Sequence, residues 1–148
     1  MKIKKLDELQ YIKRGNVFGH CLITLIGLLV VNIIMIELGI VFMNQRNMLI
    51  FIIIFTVSQF CIEMICYDIF PLSEKRQRFV YIFAGLIGIV FIFISVHSII
   101  SGEAGFTENE ILSDAGAGIF TGCLMLSIFL SYTIKYLYKK RTGDSNEN

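Results

Sequence analysis

Glu63 lies inside an apolar run of the 148-residue chain, with Gln59 one helical turn before it, Thr56 nearly another turn earlier and Tyr67 one turn after. At helical periodicity these four side chains form one polar stripe. A carboxylate placed among apolar residues costs several kcal/mol unless it is paired or hydrated, so Glu63 is a candidate functional group and its stripe must face protein or water. Two histidines supply possible partners. His20 sits near the start of the first apolar run, at a depth compatible with Glu63. His97, near the far end of the third run, is placed to meet Glu37 at the far end of the first. Burial raises a carboxyl pKa, and an imidazole titrates near neutrality, so such pairs are suited to exchanging protons.

Other chemistry is not indicated. The chain contains no H-E-x-x-H, no G-x-S-x-G and no phosphate-binding loop. The four cysteines, Cys21, Cys61, Cys66 and Cys123, all fall within apolar runs and form no C-x-x-C pair, so neither a disulfide framework nor a zinc site is expected. The basic residues lack the interleaved patterns of a nucleic-acid domain. The reading is therefore of a non-enzymatic chain with no cofactor, no metal and no nucleic-acid partner.

The elements that must carry these residues are set by composition. Hydrophobic residues make up 55% of the chain and charged residues only 17%, with a mean hydropathy of +0.72. A soluble domain carries about a quarter charged residues, and about 20 apolar residues in a row suffice to cross a bilayer. Four stretches qualify: Val17 to Met43, Met48 to Phe70, Phe79 to Ile100 and Ala115 to Tyr136. The predicted fold is all-α, one integral membrane domain over 1–148, a four-helix bundle with helices near 17–43, 48–70, 74–100 and 108–136. A basic N-terminal segment, 1–16, precedes it and a tail, 137–148, follows. The first run resembles a signal peptide's start but is too long and lacks an A-x-A site, so it reads as a retained anchor.

Charge orients the spans. Twelve of the thirteen lysines and arginines fall in residues 1–14, 75–78 and 135–141, the exception being Arg46. The segment Ser101 to Asp114 has no basic residue and carries Glu103, Glu108, Glu110 and Asp114. By the positive-inside rule both termini are expected in the cytoplasm, in a multi-pass cell-membrane protein. Pro71 is expected to end the second helix, Ser73 with Glu74 to cap the third, and Thr107 with Glu110 to open the fourth as a capping box. Ile3, Leu6, Leu9 and Ile12 recur at three-residue spacing among lysines, as in an interfacial amphipathic turn or a basic flank.

Small residues mark close helix contacts in lipid. Gly118 and Gly122 form a G-x-x-x-G pair, Ala84 and Gly88 match it in small-xxx-small form, and Gly15 and Gly19 repeat it near the start of the first helix. Each pair predicts either internal packing or a dimer seam, with Gly118 and Gly122 the strongest candidate for the latter. Phe18, Leu25, Ile26 and Gly27 also match Phe79, Leu86, Ile87 and Gly88 at a constant offset, as a parallel hairpin repeat would.

The string Asp7-Glu8-Leu9-Gln10, followed by Lys13-Arg14-Gly15, resembles the D-E-R-Q…R-G opening of small uncharacterised four-span membrane proteins of bacteria, with Leu9 where arginine is usual. Ser113-Asp114-Ala115-Gly116-Ala117-Gly118 is similar to a segment of the same group. The resemblance implies a four-helix fold in the cytoplasmic membrane and no particular activity. The expected function is that of an accessory or regulatory membrane protein, with the lipid bilayer and either a second copy (a dimer) or another membrane protein as partners. The alternative is a small dimeric transporter, or a proton or cation pathway, with Glu63 as its carboxylate.

Overall fold

The computed structural model describes residues 8–69, 74–108 and 111–142. Four long helices account for nearly all of them: α1 (Glu8–Glu37), α2 (Gln45–Tyr67), α3 (Glu74–Ile100) and α4 (Asp114–Thr142). Each is long and apolar enough to cross a membrane. Two short strands, β1 (Thr107–Glu108) and β2 (Ile111–Leu112), pair antiparallel between α3 and α4. The protein is an all-α four-helix membrane bundle. Its helices pack in the order α1–α2–α4–α3, so α1 and α3 lie at opposite ends of the row.

Lipid explains the distribution of apolar side chains. Phe93 is 70% exposed and Ile100 80% exposed, and every helix carries further large apolar residues on its outer faces. In water such a surface would drive association, whereas hydrocarbon is as apolar as the side chains themselves. Buried clusters instead mark the helix junctions. Val17, Cys21, Met64 and Ile69 join α1 to the end of α2. Ile65, Tyr81 and Ile128 tie α2, α3 and α4 together. Met43, Leu112 and Ala117 close the opposite end, with Met48 and Phe51 against them.

Several helix ends differ from the sequence expectation. α1 stops at Glu37, not Met43, because Gly39 adopts φ +69°. Gly39 N–H donates to Ile36 O at 3.0 Å and Ile40 N–H to Met35 O at 2.9 Å, the two bonds of a Schellman cap. α2 ends at Tyr67 by the same device. Asp68 takes φ 58°, its N–H donates to Ile65 O, and Ile69 N–H donates to Met64 O. Met64 and Ile69 are fully buried together, the apolar contact that accompanies this cap. The stop thus precedes Pro71, which lies outside the described residues, as does Ser73.

The fourth helix opens at Asp114, not near 108. Thr107 belongs to β1, and Glu110 lies outside the described residues. The cap is Ser113, whose Oγ accepts from Gly116 N at 3.1 Å and donates to Gly105 O at 2.5 Å. The same loop pairs with the α1–α2 connection. Leu112 N–H donates to Phe42 O at 3.0 Å, and Asn47 Nδ2 donates to Asp114 Oδ1 at 2.6 Å. At the other end of the bundle the basic flank is helical from Glu8, with Leu9 and Ile12 exposed; Ile3 and Leu6 lie outside the described residues.

Candidate functional site

The polar site forms where α1 crosses the last turns of α2. Val17 and Cys21 pack on Met64, and the Phe18 and Phe60 rings meet at 5.0 Å, which brings the intervening His20 beside Glu63. His20 Nδ1 lies 3.3 Å from Glu63 Oε2. Gln59 Nε2 donates to the other carboxylate oxygen, Oε1, at 2.9 Å. Both oxygens of Glu63 are therefore engaged, one within its own helix and one across the junction.

The depth of this group follows from the charged rim. Glu63 precedes Asp68 by five residues, roughly 7 Å along the helix, and His20 follows Arg14 by six, roughly 9 Å. The side chains of Glu63 and His20 are 23% and 60% exposed, so the pair borders the outer surface of the bundle and is not sealed within it. The imidazole and the carboxylate are thus within hydrogen-bonding distance of one another across the α1–α2 junction.

The other members of the stripe behave differently. Thr56 turns its hydroxyl to its own helix, donating to Ile52 O at 2.9 Å. Tyr67 is half exposed at the end of α2 and joins no bond with Glu63. The spacing put all four on one face, but only Gln59 is long enough, and correctly placed, to reach the carboxylate.

Glu37 and His97 are not brought together. They end α1 and α3, the two outermost helices of the row, and both are exposed. His97 instead stacks loosely on Phe93, with ring centroids 6.4 Å apart. Adjacency fails because α2 and α4 stand between the two helices.

The glycines resolve into two kinds. A Cβ on Gly122 would meet Gly88 O at 2.8 Å and Ile92 Cγ1 at 2.6 Å, and a Cβ on Gly88 would meet Gly122 O at 2.8 Å. Gly118 faces Ser95 of α3 in the same seam. Gly118 and Gly122 thus form the internal α3–α4 contact. Ala84 is half-buried, one turn before Gly88. Gly15, Gly19 and Gly27 meet no atom within 4 Å, so the echo between Gly27 and Gly88 does not extend to their environments.

A second polar cluster, centred on Asp68, is not among the sequence expectations. Asp68 Oδ2 receives Lys139 Nζ at 2.6 Å, and Oδ1 lies 3.7 Å from Lys135 Nζ. Lys135 also donates to the carbonyls of Ile65 and, at 3.3 Å, Cys66, the last turn of α2. A cation there adds a second donor to the Ile65 carbonyl, already bonded by Asp68 N–H, reaches the Cys66 carbonyl and opposes the helix dipole. The available signal was Lys135 and Lys139 at i, i+4 on one face, opposite the only carboxylate just beyond α2.

All four cysteines are free thiols. Among the described residues no three His, Cys, Asp or Glu side chains converge as metal ligands would. Compared with protein-family models, curated proteins and solved structures, the chain matches none.

Proposed function

We propose that this protein is a non-enzymatic accessory or regulatory component of the cytoplasmic membrane, acting through the open face of α1 on a second copy or on another membrane protein. The observation that carries the reading is the contrast among the glycines. Those of α3 and α4 are consumed in internal packing, whereas Gly15, Gly19 and Gly27 of α1 face no neighbour. α1 packs principally on α2, and Leu22, Ile26 and Ile33 are exposed along its outer side. Small residues on a membrane helix permit close approach of another helix.

Both termini lie in the cytoplasm in this reading. Arg14, Arg78, Lys135 and Lys139 gather at one end of the bundle, with Glu37, Glu103 and Asp114 at the other, and cations are retained on the cytoplasmic side. Reporter fusions at Asn148 and in the 101–106 loop test this; labelling of both from one face would overturn it.

The association is tested with Ile26→Cys in a chain whose native cysteines are replaced. Oxidative crosslinking in intact membranes is expected to give a discrete adduct that Gly19→Leu removes. If Ile26→Cys crosslinks to nothing, or the adduct survives Gly19→Leu, the reading fails.

A second reading is favoured by the Glu63–His20 contact at membrane depth: a proton or cation pathway in which the pair carries the exchange. Liposomes containing the protein would then dissipate a proton gradient, and Glu63→Gln would abolish the flux with insertion intact. Such a result would displace the accessory role.

A further inference from the structure

The basic end of α4 treats its cations in two ways. Lys135 and Lys139 point at α2, where Asp68 receives both. On the adjoining face, Tyr132 and Tyr136 point at α3, and Lys140 continues that row one turn beyond Tyr136. The Arg78 guanidinium of α3 lies over the Tyr136 ring, 5.0 Å from its centroid, with the Tyr132 hydroxyl also near. The rings of Tyr81, Tyr132 and Tyr136 form a ladder with centroids 4.7 and 6.4 Å apart. Tyr81 is 1% exposed, so the ladder roots Arg78 in the core.

Arg78 is exposed and forms no ion pair with a carboxylate among the described residues. Its position is that of the bilayer rim, since the apolar span of α3 begins beside it. Along the same face of α3, four and eleven residues on, Ile82 and Ile89 are exposed. A steadied guanidinium above an apolar stripe matches a ligand with a phosphate head and hydrocarbon tails. The planar fork of arginine suits two phosphate oxygens, and an aromatic face holds it in place.

We propose that the α3–α4 rim is a seat for an anionic phospholipid, its phosphodiester against Arg78, its net charge answered by Lys140, and its acyl chains along Ile82 and Ile89. Two cations that meet no carboxylate among the described residues favour an anionic lipid over a zwitterionic one, whose head group brings its own ammonium. The seat does not depend on α1 or its partner.

The test uses the full chain in nanodiscs of phosphatidylcholine with or without phosphatidylglycerol, re-extracted into detergent, with retained lipid counted by native mass spectrometry. Wild type is expected to retain phosphatidylglycerol preferentially. Arg78→Gln is expected to lower that retention about tenfold, and Lys140→Gln about fivefold, with phosphatidylcholine retention unchanged. Should Arg78→Gln fail to assemble, the exposed Lys140→Gln carries the test alone. Equal retention of the two lipids by wild type overturns the proposal, as does undiminished retention in the assembled variants. Displacement of phosphatidylglycerol by inorganic phosphate would assign the site to a free anion and equally overturn it. Because both nanodisc leaflets share one composition, the result is independent of the orientation and association argued above.

Discussion

The two antiparallel helix pairs, α1–α2 and α3–α4, are joined by opposite means. At α3–α4 the main chains nearly touch: Gly88 and Gly122 each lie where a Cβ would strike the other's carbonyl oxygen at 2.8 Å. At α1–α2 the helices meet through side chains, with Phe18 on Phe60, Val17 and Cys21 on Met64, and His20 at Glu63. Both pairs carry small-xxx-small spacings. In α3 and α4 these face inward; in α1 they face away from the bundle. The motif therefore reports a capacity for close approach, and its meaning depends on which helix comes near.

The largest effect is expected from overfilling the tight seam. Gly122→Leu places a branched side chain against main-chain atoms that cannot yield, and should destabilise the bundle by roughly 3 kcal/mol or more, read from helicity loss on denaturant titration in micelles. Gly88→Ala is expected to cost about 1–3 kcal/mol in the same assay. If either is neutral, the α3–α4 contact is not the tight one.

Asp68 probes the junction between the pairs. Asp68→Ala removes the carboxylate shared by Lys135 and Lys139 while keeping a Cβ in the left-handed region, and should cost about 1 kcal/mol. Asp68→Gly removes the same carboxylate but relieves the backbone, so its loss should be smaller. Equal losses would mean that the main-chain strain contributes nothing.

Smaller still is the effect expected at the looser pair. Glu63→Gln keeps the shape of the side chain, and its partner His20 is 60% exposed, so stability should change by less than about 1 kcal/mol. Gly19→Leu should leave monomer stability within about 0.5 kcal/mol, because nothing lies within 4 Å of its Cβ position. A large loss from Gly19→Leu in monomeric micelles would show that α1 has a neighbour within the chain and would erase the contrast.

Much of this was legible before any coordinates. The four spans, the polar stripe on α2 and the matching depths of His20 and Glu63 follow from apolar run length and helical rise. The ends of the helices were less so. Gly39 marked the true end of α1, but the apolar residues from Ile40 to Phe42 continued the hydropathy signal past it. Ser113 was overlooked as a cap because Thr107 and Glu110 offered the better-known spacing; its pairing with Gly105 requires a loop that folds back on itself. Asp68 occupies a left-handed position that Gly39 and Gly102 fill elsewhere, one for which glycine is the stronger sequence signal.

Run length and charge placement determine, from the chain alone, that hydrocarbon is the solvent for the four helices. These are sums over local composition, and transfer energies add residue by residue. Neighbour choice is another matter. In lipid the outward and inward faces of a helix are equally apolar, so periodicity carries no instruction about which face meets protein. Only the packed structure, through the fit of Gly88 on Gly122 and the insertion of α4 between α2 and α3, decides that His20 reaches Glu63 while Glu37 and His97 stay apart.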